Sequence, residues 1–158
     1  MRIGFGYDVH VYAPNRQLWL GGILVPAEIG LLGHSDADVL IHALCDALLG
    51  AAAMRDIGYH FPPIKGNAYE NIDSKILLRE VITMLREAGY ELGNCDCTIC
   101  AEIPKLNPYI PAMTTCLAQV MGVSEGQISI KATTTEQLGF VGRKEGMAAY
   151  AVVLITEK

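Results

Sequence analysis

The stretch from Gly33 to Gly58, GHSDADVLIHALCDALLGAAAMRDIG, constrains the fold more than any other part of the chain. Its middle reads as a helix that is apolar on every side, through Val39, Leu40, Ile41, Ala43, Leu44, Ala47, Leu48 and Leu49. A helix without a polar face is a buried helix, so the remaining residues must wrap it. Asp38, His42 and Asp46 interrupt the apolar surface at i, i+4 and i+8, which stacks them on one stripe. An unpaired buried polar group costs roughly 1–3 kcal/mol, so each of them needs a partner, a water or a metal. Two readings stand side by side. In one, Asp38 caps the helix and Asp46 pairs with a core histidine; in the other, His42 is a metal ligand, which requires support from elsewhere.

The first strand-like run, Arg2 to Tyr12, supplies that support. Asp8 and His10 are separated by one residue, and period-two alternation sends both side chains to the same face. A carboxylate and an imidazole on a strand, joined by an imidazole from a buried helix, make the three-ligand set of a catalytic zinc site with its fourth position open. Gly4 and Gly6 allow another backbone to approach that strand closely.

The other segments fall into place around these two. Leu18 to Val25 reads as a hairpin turning at Gly21-Gly22, and Pro26 to Gly33 as a connecting loop without evident chemistry. His34-Ser35-Asp36 precedes the buried helix, where backbone amides and the helix dipole make an anion site. Asp56-Ile57-Gly58 forms an acidic turn after it. The loop from Phe61 to Asn71, with Pro62, Pro63 and Gly66, is the candidate mobile flap. Asp73 to Ala88 is an amphipathic helix with Ile76, Leu77, Val81, Leu85 and Ala88 facing inward, started by Asp73-Ser74 and stopped by Gly89. Then come a strand from Leu92 to Ala101, a Pro-rich turn from Pro104 to Tyr109 carrying Lys105, a helix from Ile110 to Met121, and strands at Ile128–Ala132 and Met147–Thr156. Between the last two strands lies the polar segment KATTTEQLGFVGRKEG, Lys131 to Gly146. Thr133-x-x-Glu136 matches a capping box, yet three Thr hydroxyls and a carboxylate also suit a phosphate and Mg²⁺ site.

A length of 158 residues suits one domain, 1–158, with its own core. Hydrophobic residues make up 51% and mean hydropathy is +0.29, more apolar than a monomer surface favours, so oligomerisation is expected. No charge-free run of about 18 apolar residues occurs, and Met1 to His10 is neither a signal nor a transit segment, which predicts a soluble, cytoplasmic protein without a membrane partner. Five cysteines do not suggest a disulfide framework in that compartment, and Cys95-x-Cys97-x-x-Cys100 reads as core packing because Cys97 and Cys100 point to opposite strand faces. Net charge is −5, with no basic stripe, which argues against nucleic acid as a partner. A phosphorylated ligand must then be held by local cations, metals or helix N-termini.

Four blocks in order, RIGFGYDVH, GLLGHSDADVLIHALCDALLGAAAMRDIG, IPKLNPYIPAM and IKATTTEQLGFVGRKEGMA, give the chain an almost end-to-end resemblance to the family of 2-C-methyl-D-erythritol 2,4-cyclodiphosphate synthases, of the non-mevalonate isoprenoid pathway. The resemblance implies an α+β fold, a β-sheet with helices packed on one face, assembled as a homotrimer around a central axis with active sites between subunits. It implies Asp8, His10 and His42 as Zn²⁺ ligands and Glu136 as the ligand of Mg²⁺ (or Mn²⁺). His34 and Thr134 match positions credited with transition-state stabilisation. Ser35, Asp56, Ile57 and Gly58 match substrate contacts, the last three on the methylerythritol part. Ala101 to Asn107, including Lys105 and Leu106, match the cytidine diphosphate pocket together with Thr133, Thr134 and Thr135. Phe140 and Arg143 match further substrate or axial-cavity contacts. The implied reaction is that of a phosphorus-oxygen lyase: the 2-phosphate of 4-diphosphocytidyl-2-C-methyl-D-erythritol 2-phosphate attacks the β-phosphorus, giving the cyclic diphosphate and CMP.

Two departures from the family pattern stand out. Pro63-Ile64-Lys65-Gly66 replaces an acidic stretch, with one residue gained before Asp73, and Phe5 stands where relatives often have a polar residue. Two rivals need different features. A zinc-dependent phosphoesterase using metal-bound water needs a general base near the open metal position, with Asp38, Asp46, Asp56 and His34 on offer. A non-catalytic trimer with a structural metal needs a closed four-ligand site. Asp46, one turn beyond His42, is expected to orient a ligand imidazole or the network at the helix end.

Overall fold

The computed structural model describes residues 1–62 and 72–158. The candidate flap, with the departure at Pro63 to Gly66, therefore lies mostly outside the described residues. Strand β1 (Arg2–Pro14) pairs antiparallel with the last strand, β7 (Gly146–Glu157), from Arg2 opposite Ile155 to Val11 opposite Gly146. The other edge of β7 pairs antiparallel with β5 (Tyr90–Cys100), and β5 pairs in parallel with β6 (Ile128–Thr133). β2 (Leu18–Leu20) and β3 (Ile23–Val25) form the expected hairpin. The stretch expected to be a plain loop contains β4 (Ile29–Leu31), which pairs with Tyr12 to Pro14 and completes the order β4-β1-β7-β5-β6. Helices on this mixed sheet make an α+β fold.

Helix α1 (Val39–Ala51) is buried except at Asp46 and Gly50, as an apolar helix must be. It lies directly on β1. A Cβ added at Gly4 would stand 1.9 Å from the Ala47 carbonyl oxygen, and one at Gly6 would stand 1.9 Å from that of Ala43. The missing side chains are the space the helix occupies. Cys95, Cys97 and Ile99 of β5, with Met147, Ala149, Ala151, Val153 and Ile155 of β7, join α1 in one hydrophobic core. The cysteines are free thiols, in keeping with core packing. Ile3, Phe5, Tyr7, Val9 and Val11 of β1 and Tyr150 and Val152 of β7 form the opposite face and are exposed, Phe5 by 63%.

Helix α2 (Ile57–His60) is a single short turn where only an acidic turn was expected, and the Asp56 carboxylate accepts from the Tyr59 amide to start it. Helix α3 (Ser74–Glu87) begins after the cap Asp73, but its buried line is Leu77, Leu78, Val81, Ile82 and Leu85. Ile76 and Ala88, expected inside, are exposed, because a helix advancing about 100° per residue centres its stripe between the 77/81/85 and 78/82 rows. Helix α4 (Ile110–Met121) ends at Gly122 in the left-handed region, φ 65°. The Thr133-x-x-Glu136 match is not a capping box. Thr133 Oγ1 donates to the Thr134 carbonyl, Glu136 has φ 52°, and the short α5 (Gly139–Gly142) starts after Leu138 without a side-chain cap. Among the described residues no helix is long and apolar enough to cross a membrane.

Asp38 does more than cap. Its Oδ1 accepts from the Ile41 amide at 3.0 Å and the Gly21 amide at 3.0 Å, and its Oδ2 accepts from the Gly22 amide at 2.7 Å. One fully buried carboxylate thus ties the β2–β3 turn to the start of α1. Asp38→Ala leaves two hairpin amides buried without an acceptor, at about 1–3 kcal/mol each, and removes a cap worth about 1 kcal/mol. A loss of roughly 3 kcal/mol or more is expected in denaturant unfolding, with Asp38→Asn in between because it keeps an oxygen.

Candidate active site

β1 and α1 bring Asp8, His10 and His42 together at the edge of the core. Asp8 Oδ2 lies 2.9 Å from His10 Nε2 and 3.1 Å from His42 Nδ1, and the two ring nitrogens are 3.2 Å apart. The outer nitrogens decide what this means. His10 Nδ1 is 2.8 Å from the Leu32 carbonyl oxygen, which only accepts, so Nδ1 carries a proton. His42 Nε2 is 2.9 Å from Ser74 Oγ, whose own proton goes to Asp36 Oδ1, so Nε2 also donates. In the neutral rings His10 Nε2 and His42 Nδ1 are then lone pairs, aimed with the Asp8 oxygen at one point. Three lone pairs within about 3 Å repel unless a cation sits among them. Tetrahedral Zn²⁺ with bonds of about 2.0–2.1 Å would set its ligand atoms about 3.3 Å apart, close to the spacing seen, so the donor set fits a divalent metal.

Without metal the cation is a proton. Burial alone would push the Asp8 carboxyl up, yet its close approach to the His10 and His42 rings, and the positive charge a proton brings there, outweigh it and hold the carboxyl at about 2. Burial pulls His10 down, while its hydrogen bond to Asp8 and the carboxylate charge raise it above the ordinary imidazole value. That proton stabilises the apo fold fully below the ordinary imidazole pKa, and the contribution is lost as pH rises through the raised value. Metal must displace the same proton. Apparent zinc affinity is therefore expected to fall about tenfold per pH unit below the His10 pKa and to level off above it. Competition with a chromophoric chelator at ~pH 6 and ~pH 8 checks this, and equal affinities would contradict the assigned protonation.

The three ligands open onto a cleft of about 220 Å³ also lined by His34, Ser35, Ile57 and Gly58. Asp46 Oδ1 accepts from the Ile57 amide at 2.9 Å, so this carboxylate holds the turn at the cleft mouth. Burial raises its carboxyl above the ordinary carboxylate range. The amides expected to bind an anion ahead of α1 are partly used inside the chain: Ala37 donates to Ser35 Oγ, Asp38 to Asp36 Oδ1 and Ile41 to Asp38.

Other predicted residues gather in a second cleft, of about 190 Å³, lined by Ala101, Lys105, Leu106, Thr133 and Thr134 among others. The strand register places it at the same end of the sheet. His10 faces Met147, the adjoining Ala148 faces Cys100, and Cys100 faces Thr133, so three strand spacings of about 4.8 Å, roughly 14 Å, separate the two clefts. Thr134 Oγ1 donates to Glu136 Oε1 at 3.2 Å. Phe140 packs on the small cluster of Cys100, Val141 and Ala148, and exposed Arg143 pairs with Glu145. Sequence reasoning placed Glu102 only within the Ala101 to Asn107 wall of this cleft and missed what it holds. Its Oε1 accepts from the Thr135 amide at 3.0 Å and the Gln137 amide at 3.3 Å, holding the threonine turn, where Glu136 and Gln137 both have positive φ. Tyr12 was missed too; its hydroxyl donates to the Ile103 carbonyl at 2.6 Å and ties β1 to the turn before that cleft.

The YgbB family profile matches residues 1–156. The 2-C-methyl-D-erythritol 2,4-cyclodiphosphate synthase of Parabacteroides distasonis is 70% identical over 155 residues, spanning 98% of this chain and 96% of that protein. The enzyme of the same name from Bacteroides fragilis is 63% identical over 155 residues, 98% of this chain and 97% of its own. The solved structure of the bifunctional IspDF from Campylobacter jejuni matches 99% of this chain with a TM-score of 0.95 and 43% identity, and this chain spans 42% of that longer protein. IspF from Plasmodium falciparum, solved as a CDP complex, matches with a TM-score of 0.88 and 32% identity over 99% of this chain and 96% of that one. Matched in sequence from residue 1 to residue 156 and in fold along nearly its whole length, the chain belongs to the YgbB family.

Proposed function

We propose that residues 1–158 form a single cytoplasmic catalytic domain that converts 4-diphosphocytidyl-2-C-methyl-D-erythritol 2-phosphate to 2-C-methyl-D-erythritol 2,4-cyclodiphosphate and CMP. A 2-phosphate oxygen attacks the β-phosphorus, the bond from that phosphorus to the α–β bridging oxygen breaks, and CMP leaves with the electron pair. No protein nucleophile is needed. The task left to the chain is to fold an anionic substrate on itself and to neutralise its charge. Zn²⁺ at Asp8, His10 and His42, and Mg²⁺ or Mn²⁺ at Glu136, supply positive charge that a chain of net −5 lacks. Lys105, with Thr133, Thr134 and Thr135, binds the cytidine diphosphate part, Asp56, Ile57 and Gly58 hold the methylerythritol part, and Ser35 is a further substrate contact. His34 and Thr134 face the reacting phosphates.

The observation that carries this reading is the convergence of three ligand lone pairs on a cleft in a chain so similar to cyclodiphosphate synthases. A homotrimer fits the exposed apolar face of the sheet, from Ile3 to Val11 and at Tyr150 and Val152, which a second copy would cover. In that trimer the metal cleft of one subunit and the nucleotide cleft of its neighbour complete one site. Of the general bases on offer to the rival phosphoesterase, Asp38 is taken by three amides, while Asp46 and Asp56 each accept from one amide and His34 lines the metal cleft. A closed structural metal site needs a fourth ligand, and the metal-ligating group among the described residues has three.

³¹P NMR of the purified protein with this substrate, Zn²⁺ and Mg²⁺ tests the reading. A cyclic diphosphate and CMP in equal amounts, abolished by chelation, are the expected products. Inorganic phosphate would instead identify the phosphoesterase.

A further inference from the structure

Behind the metal ligands stands a polar arrangement that none of the motifs announces. Ser74, the first residue of α3, is completely buried. Its hydroxyl accepts from His42 Nε2, 2.9 Å away, and donates to Asp36 Oδ1, while its amide donates to Asp36 Oδ2 at 2.9 Å. Asp36 Oδ1 also receives the Asp38 amide at 3.2 Å, so the carboxylate is fixed to the start of α1 as well as to α3. Ser35 Oγ stands 3.2 Å from the same imidazole nitrogen and is itself engaged by the Ala37 amide. We infer that Ser74 and Asp36 are positioning residues for the metal. Asp36 takes the serine proton, so the serine oxygen is left as an acceptor, which fixes the His42 proton on Nε2 and points the Nδ1 lone pair at Asp8 and His10.

Direction follows from the chemistry of each group. An ionised carboxylate only accepts, a serine hydroxyl has one proton to give, and a neutral imidazole has one N–H. With Asp36 at the far end, each proton has one place to go. Remove the hydroxyl, and the remaining neighbour of His42 Nε2 is Ser35 Oγ, which accepts the Ala37 amide and has its own proton to give to that nitrogen; the ring then gains by moving its proton to Nδ1 toward Asp8, the position the metal needs. Groups behind a metal ligand that hold an imidazole in this way commonly change metal affinity by about tenfold to a hundredfold. His10 is held by a different device, the Leu32 carbonyl, which no side-chain substitution removes. Substitution at Ser74 therefore reports on His42 alone.

The inference rests on Asp8, His10 and His42 being the metal ligands, and the experiment separates the two. Zinc affinity is measured by chelator competition for the parent, Ser74→Ala and His42→Ala, alongside the thermal midpoint of each apoprotein. Long-range ¹H–¹⁵N correlation spectra of the parent and Ser74→Ala apoproteins, above the imidazole titration, report which ring nitrogen of His42 carries the proton. Alanine suits the first turn of a helix, so Ser74→Ala removes little besides the hydroxyl. Expected are a proton on Nε2 in the parent, a mixture of tautomers in Ser74→Ala, and zinc binding weakened about tenfold to a hundredfold in that variant. Zinc affinity unchanged in Ser74→Ala, with or without a lower thermal midpoint, would make the hydroxyl structural and overturn the inference. So would a parent spectrum with the His42 proton on Nδ1, whether or not the variant folds. Zinc retained by His42→Ala would overturn the ligand assignment itself and the inference with it.

Discussion

His42→Ala is expected to lose zinc and turnover together while the chain remains folded. A four-ligand structural zinc site is worth about 10–16 kcal/mol, or about 2.5–4 kcal/mol for each ligand, so removing one of three ligands should weaken zinc binding by roughly 70- to 1000-fold. Turnover falls further. The proposed reaction has no protein nucleophile, so charge placed at the phosphates carries the acceleration, and loss of even one preorganised donor commonly costs about 100- to 1000-fold. A fall in kcat/KM of about 1000-fold or more is expected, read from CMP release at saturating Mg²⁺. Folding should survive, because the imidazole lies at the cleft edge, 7% exposed, and its departure also removes a lone pair facing Asp8 and His10. A variant that kept stoichiometric zinc and lost only activity would show that His42 acts on the substrate and is not a ligand.

Much of this site was legible because its residues announce themselves by local pattern. Asp8 and His10 alternate on a strand, and His42 interrupts a helix whose other residues are nearly all apolar. What was hidden lies in long-range hydrogen bonds made by ordinary residues. Ser74 looks like a helix start and is one, but its hydroxyl meets a ring 32 residues away. Leu32 contributes only a carbonyl, which no side-chain code reveals, and the edge strand β4 that sets it beside β1 is three residues long, too short for a periodic signal. Glu102 lies 33 residues from the Thr135 amide it accepts. The capping-box match failed for the opposite reason: the letters were right, but Glu136 at positive φ cannot stand inside the first turn of a right-handed helix. The odd positions of β1, Ile3 through Val11, announce a second apolar sheet face that the helices leave uncovered.

The contact that joins the two halves of the ligand set yields an expected effect on stability and on zinc binding together. Gly6 lies on β1 two residues before Asp8, and Ala43 follows His42 on α1. A Cβ at position 6 would stand 1.9 Å from the Ala43 carbonyl oxygen and 2.7 Å from the Ala47 amide nitrogen, both backbone atoms that no rotamer change can move. Ordinary carbon–oxygen contact needs about 3.3 Å or more, so in Gly6→Ala the helix must lift from the strand by over about 1 Å. Metal sites tolerate errors of about 0.2 Å in ligand distance, so a shift of that size removes His42 from reach of a metal held by Asp8 and His10. Overpacking a core typically costs about 1–3 kcal/mol and occasionally more, and a clash with fixed backbone belongs at the upper end. Gly50→Ala is the control on the same helix, because its Cβ would meet nothing within 4 Å. Replacing a helical glycine in open space should add about 0.5–1 kcal/mol of stability and leave zinc binding alone. Denaturant unfolding and chelator competition on the two variants should therefore diverge in both readouts. If Gly6→Ala kept parental zinc affinity, the close approach of α1 to β1 would not be what sets the ligand geometry, and the fold would be holding His42 by its surroundings on α3 alone.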